Sequence, residues 1–190
     1  MLMSILVGID EVGRGCWAGP LVAGAVILKE PIEGLKDSKK LGAARREELA
    51  LLINTQAVVG LGWVDAATID RVGLTTAVKW AMERALEAIA ASYDEIIIDG
   101  SINYMLENSK AKAVIKADAT MPAVSAASIV AKVARDKYMV EMALRYPQYG
   151  FDRHVGYGTA LHLERLKTHG VSKLHRQSFK PIQQLLKPTI

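Results

Sequence analysis

Two apolar runs, Ile5–Asp10 (ILVGID) and Leu21–Leu28 (LVAGAVIL), are joined by residues 11–20 alone. Each has the length and β-branched content of a strand. The link is too short for the crossover helix that parallel neighbours need, so the pair is expected to be antiparallel.

Further runs extend the pattern. Ala57–Val64 (AVVGLGWV) and Glu95–Asp99 (EIIID) read as strands, and Ala113–Lys116 (AVIK) is expected to be a fifth. Ala43–Thr55 reads as a helix with Leu49, Leu52 and Ile53 on one face. Leu74–Ala91 places Leu74, Val78, Ala81, Met82, Ala85 and Ile89 at the helical period. A long helix is predicted over about Met121–Tyr146, with Thr120 as N-cap and Pro122 in its first turn. Another is expected near Thr159–His169, with a shorter one after it. The order predicts an α/β domain whose mixed five-stranded sheet is flanked by helices and followed by a helical C-terminal extension. Residues 1–146 are read as the core, and 147–190 as an extension packed on it in a single structural unit.

Composition narrows the function classes. At 190 residues, 51% hydrophobic and 23% charged, the chain can bury a core without covalent staples. Its single cysteine, Cys16, excludes an internal disulfide and a cysteine-based zinc site. No apolar run approaches membrane-spanning length, and the first one stops at Asp10 and Glu11. It is therefore read as a strand rather than a signal peptide, and a cytoplasmic monomer is expected. Residues 145–190 carry a net charge of +6 and all four histidines, against −2 for the rest. Such a segment suits a polyanionic partner or forms a plain solvated basic face.

The acids mark the chemistry. Asp10 and Glu11 end the first strand, Asp99 ends the fourth, and Asp118 follows the fifth and opens the long helix. In open α/β sheets, sites form beyond the carboxyl ends of strands. Four carboxylates on one rim would repel unless hard divalent cations such as Mg²⁺ or Mn²⁺ joined them. Each could instead be an isolated cap or turn residue. Adjacent Asp10 and Glu11 cannot point the same way from a regular strand, so the strand is expected to end or bulge at Asp10. The Gly13-Arg14-Gly15 loop allows close backbone approach to a ligand beside a fixed charge, though such triplets also occur in ordinary turns.

DEVGRG at 10–15, AGPLVAGAV at 18–26, DSKKL at 37–41, IIIDG at 96–100, KADA at 116–119, VSAASIVAKVARD at 124–136 and HVGYGTALH at 154–162 closely resemble the ribonuclease HII (type 2 ribonuclease H) family. The motifs keep the family's order from about Ile5 to about Pro181. Gly42 and Ala117 depart from residues common in the family. The resemblance implies a ribonuclease H-like fold and a metal-dependent endoribonuclease that hydrolyses the RNA strand of RNA–DNA hybrids. It implies incision 5′ of ribonucleotides embedded in duplex DNA, leaving a 3′-hydroxyl and a 5′-phosphate. Asp10, Glu11, Asp99 and Asp118 match the family's ligands for two divalent cations. Gly13, Arg14 and Gly15 match the loop that reads the 2′-hydroxyl, Tyr157 matches the substrate-sensing tyrosine, and Lys39 and Lys40 fall where phosphates are contacted. A non-catalytic nucleic-acid-binding module on the same fold is the alternative.

The remaining residues read more plainly. His154, His162, His169 and His175 are expected at the surface or against phosphates, rather than in a zinc site. Cys16 is expected to be a packed thiol, and Ser125 and Ser128 small packing residues. Gln183-Gln184-Leu185-Leu186 is read as an amphipathic terminal turn, with a weaker resemblance to sliding-clamp-binding peptides.

Overall fold

Residues 4–35 and 41–186 are described by the computed structural model, and among them are five strands and eight helices. They run β1 (Leu6–Val12), β2 (Leu21–Leu28), α1 (Ala43–Gln56), β3 (Ala57–Val64), α2 (Ala66–Val72), α3 (Leu74–Glu87) and β4 (Glu95–Asp99). There follow β5 (Ala111–Val114), α4 (Ala117–Thr120), α5 (Pro122–Arg145), α6 (Phe151–His154), α7 (Ala160–His169) and α8 (Lys180–Leu186). The sheet order is β3-β2-β1-β4-β5, with β1 antiparallel to β2 and parallel to β4. This is the expected mixed sheet.

Strand alternation sorts the core into two layers. Val7, Ile9, Ile96 and Ile98 pack with α3 on one face. Gly8, Gly24 and Ile97 face α5, whose start carries Ala123, Val124 and Ala127. Helix and sheet approach so closely there that a Cβ on Gly8 would lie 2.3 Å from the Ala123 backbone. One on Gly24 would lie 2.5 Å from the Ala127 carbonyl. The small residues in the first half of α5 therefore bring that helix onto the centre of the sheet.

Several boundaries differ from expectation. β5 begins and ends two residues earlier than AVIK, leaving Ile115 exposed and Lys116 in the left-handed region at φ 58. Asp118 consequently opens the short α4, not the long helix, and Thr120 bonds back to the Lys116 carbonyl instead of capping α5. In α1, Leu49, Ala50 and Ile53 are buried while Leu52 lies at the surface. Helix α2, capped by the Asp65 carboxylate at Thr68 N–H, had no counterpart in the sequence reading, nor did α6.

Residues 147–186 pack against the far end of α5. Tyr149, Phe151, Leu166 and Ile182 are buried with Met139 and Met142. The Asp70 carboxylate accepts hydrogen bonds from the backbone N–H groups of Gln177 and Ser178, tying this segment to α2. Among the described residues, no helix is long and apolar enough to cross a membrane.

Candidate active site

Asp10 and Asp99 reach the same face of the sheet from neighbouring strands, because each follows the last paired position, Ile9 opposite Ile98. Asp118 joins them from α4, and its backbone N–H donates to the Asp99 carboxylate at 3.3 Å. Carboxylate oxygens of Asp10, Asp99 and Asp118 all lie within 4.8 Å of one another.

Glu11 does not join this group. β1 neither ends nor bulges at Asp10: it stays paired with β2 through Val12. Alternation therefore sends Glu11 away from Asp10, and its carboxylate instead accepts from Arg14 at 3.2 Å. Glu11 still lines the same pocket of about 480 Å³, with Gly13, Arg14, Gly15, Asp99 and Tyr157. Lys39 and Lys40 lie outside the described residues.

The electrostatics are unfavourable for bare carboxylates. Burial pushes Asp10 up to about 7, the negative charges of Glu11 and Asp99 add to the shift, and a hydrogen bond with Ser128 opposes it. Burial also raises Glu11, against the pull of Arg14. Three hard oxygen donors within reach of one another, one of them the desolvated Asp10 carboxylate, fit a divalent cation.

Three polar lining residues escaped the sequence reading as site residues: Arg46, Ser128 and Lys132. Ser128 is more than the packing residue expected, and Ser125 donates to the Leu35 carbonyl. The available signal was the spacing of Ser128 and Lys132, one turn apart on α5. Lys132 pairs with Asp136 at 3.0 Å and stands over the Tyr157 ring at 5.4 Å.

Two buried guanidiniums hold the loop after β1. Arg135 donates to the carbonyls of Pro20, Ala18 and Val155. Arg176 donates to those of Gly19 and Arg14, and burial lowers it to about 10. Arg176 is thus a loop clamp, unavailable to phosphate, although the charge count placed it in the basic tail. The histidine expectation also fails: His154, His162 and His175 are buried, and only His169 is exposed. Cys16 is buried as expected, and burial pushes its thiol up.

The family model for ribonuclease HII matches residues 7–182. The chain belongs to the ribonuclease HII family. It is 46% identical over 184 residues to ribonuclease HII of Halorhodospira halophila, covering 95% of this chain and 94% of the relative. It is 47% identical over 182 residues to that of Nitrosococcus oceani, covering 94% and 90%. Its fold matches ribonuclease H2 of Pyrococcus horikoshii OT3 with a TM-score of 0.81 at 26% identity, over 95% of this chain and 96% of the other. The Archaeoglobus fulgidus RNase HII solved in complex with PCNA matches at 0.79 and 28% identity, over 93% and 95%. The chain is accordingly a ribonuclease H, a metal-dependent endoribonuclease acting on RNA–DNA hybrids.

Proposed function

We propose that this enzyme incises 5′ of ribonucleotides embedded in duplex DNA, as well as hydrolysing the RNA strand of hybrids, leaving 3′-hydroxyl and 5′-phosphate ends. The observation that carries the reading is the convergence of Asp10, Asp99 and Asp118 within 4.8 Å beside the Gly13-Arg14-Gly15 loop. These three carboxylates hold Mg²⁺ or Mn²⁺, with Glu11 contributing from the pocket wall. The cations, when bound, neutralise the phosphodiester and acidify the attacking water.

The chain's own residues supply selection. Backbone groups of Gly13–Gly15 bind the 2′-hydroxyl, the feature that distinguishes RNA from DNA. Glu11 steadies Arg14 at the loop's edge. Tyr157, partly exposed at the pocket, stacks on the adjoining sugar. Lys39, Lys40, Arg46 and Lys132 meet the phosphates, a salt-sensitive contribution. We read residues 1–146 as the catalytic core and 147–190 as the extension, which carries Tyr157. A single buried cysteine suits a reducing compartment, so we assign the enzyme to the cytoplasm as a monomer acting in ribonucleotide removal.

A sliding clamp is the weaker partner. The PCNA complex of the Archaeoglobus protein favours it, but Ile182 is buried and Leu185 packs beside it, so much of the apolar side of α8 is already used.

The test is product mapping on a duplex carrying one ribonucleotide, with Mg²⁺, Mn²⁺ or EDTA. A single cut 5′ of the ribonucleotide that EDTA abolishes is expected. Equal cutting of all-DNA duplex would overturn the reading, and binding without cutting would favour the non-catalytic module.

A further inference from the structure

The loop carrying Tyr157 is strained and held from several sides. Val155 is β-branched yet adopts φ 42 and ψ 36, and Gly156 follows at φ 86. Such conformations persist only where the surroundings over-determine them, and they concentrate at functional sites. The Val155 carbonyl accepts from Arg135 at 2.8 Å, and the Gly156 carbonyl accepts from Trp17 and Ala18 N–H at 2.8 and 3.2 Å.

Behind the loop lies a chain of buried histidines that the carboxylate site does not use. The Tyr157 carbonyl can only accept, so His162 Nδ1, 2.9 Å away, carries a proton. Ser172 N–H donates to His175 Nδ1 at 2.9 Å, which leaves the His175 proton on Nε2. That proton is donated to His162 Nε2 at 3.0 Å. His154 Nδ1 accepts from Gly156 N–H at 3.2 Å, while its Nε2 donates to the Tyr149 carbonyl at 3.0 Å. The His154 and His162 rings stack at 4.2 Å. Every ring nitrogen of the three has a partner, which leaves no lone pair for a metal. Burial lowers both His162 and His175 to about 4, consistent with neutral rings in these tautomers.

We propose that His162, backed by His175 and His154, is a positioning residue that fixes the Tyr157 ring at the mouth of the carboxylate pocket. His162 grips the carbonyl of Tyr157 itself, and His154 grips the N–H of the preceding glycine. His162 thus holds the peptide plane that follows Tyr157, and the His154 ring holds the Val155–Gly156 plane one peptide before the ring, while the Tyr157 N–H donates to the His154 carbonyl at 2.9 Å. The role rests on the reading that Tyr157 touches substrate.

The experiment combines spectroscopy with a double-mutant cycle. In histidine-labelled protein at neutral pH, long-range ¹H–¹⁵N spectra should show His162 protonated on Nδ1, and His154 and His175 on Nε2. His162→Phe keeps a ring but loses both bonds. It should speed hydrogen exchange at Gly156 and Tyr157 and lower kcat at a lone ribonucleotide roughly 10- to 100-fold, with a smaller change in KM. His162→Asn keeps an N–H for the Tyr157 carbonyl and should restore most of kcat. Because His162 acts through Tyr157, His162→Phe should add little to Tyr157→Ala. Other tautomers, unchanged exchange in folded His162→Phe, or additive losses would overturn the proposal. Unchanged kcat in Tyr157→Ala alone would instead sink the reading of the tyrosine, and exchange at Gly156 and Tyr157 would still report on the histidine chain.

Discussion

Asp10 and Asp99 stand side by side because parallel strands deliver them in register, one residue past Ile9 and Ile98. Two carboxylates presented this way, with Asp118 within 4.8 Å, suit a shared cation, and burial penalises the bare charge of Asp10. The consequences of that penalty can be measured without any substrate.

Asp10→Asn should abolish cleavage while leaving hybrid binding largely intact. It should also stabilise the metal-free protein. Asp10 is raised from 3.8 to about 7 in the fold, so the native state holds its proton more tightly than the unfolded chain. That contribution is full below about pH 4 and is lost as pH rises towards 7. Above pH 7 the variant should therefore be the more stable, by at most about 4 kcal/mol, with the gap closing towards pH 4. Denaturation in EDTA across this range checks it.

The buried histidines have the opposite sign. Burial lowers His162 and His175 to about 4 in the fold, so the unfolded chain takes up protons first. Stability they permit above about pH 6.5 should be lost as pH falls through 4. In wild type Asp10 and Glu11 offset this, so the loss should be clearest in an Asp10→Asn, Glu11→Gln background. Urea denaturation between pH 4 and 7 reads the slope.

Arg176→Lys should cost about 2 kcal/mol or more, although charge is kept. A lysine cannot reproduce the fork that serves the Gly19 and Arg14 carbonyls, and buried carbonyls left without donors are penalised. Cleavage should fall with it, since the same clamp holds the Gly13-Arg14-Gly15 loop. Denaturation and initial rates on one preparation test both effects.

Gly8→Ala should destabilise by about 1–3 kcal/mol, because the added methyl meets the backbone of Ala123 and pushes α5 off the sheet. Ser128 rides on α5, so Mn²⁺ affinity should fall as well. Equilibrium denaturation and metal titration of the variant measure the two losses.

Much of this site was legible because strand ends are local features. EIIID followed by glycine and ILVGID followed by Glu11 each mark where a strand delivers an acid to the rim. The side on which each acid emerges depends on pairing. Regular pairing of β1 with β2 through Val12 separates Glu11 from Asp10, which residue types alone do not reveal. The histidines were misread for a related reason. His162 sits on a helix with polar neighbours, and its burial comes from Trp17, Phe151 and His175, distant in sequence. Arg135 and Arg176 likewise look like surface charge until the carbonyls of residues 14–20 are placed around them. β5 was placed two residues late and the short α4 was missed because Lys116 turns into the left-handed region, a choice that lysine does not advertise.

The central claim is that Asp10, Asp99 and Asp118 together hold divalent cations. Electron paramagnetic resonance of free Mn²⁺, titrated with wild-type protein and with Asp10→Asn, tests it most directly. Loss of the free-ion signal with wild type, largely abolished in Asp10→Asn, is the expected result. Equal Mn²⁺ uptake by the two proteins, or none by wild type, would contradict it.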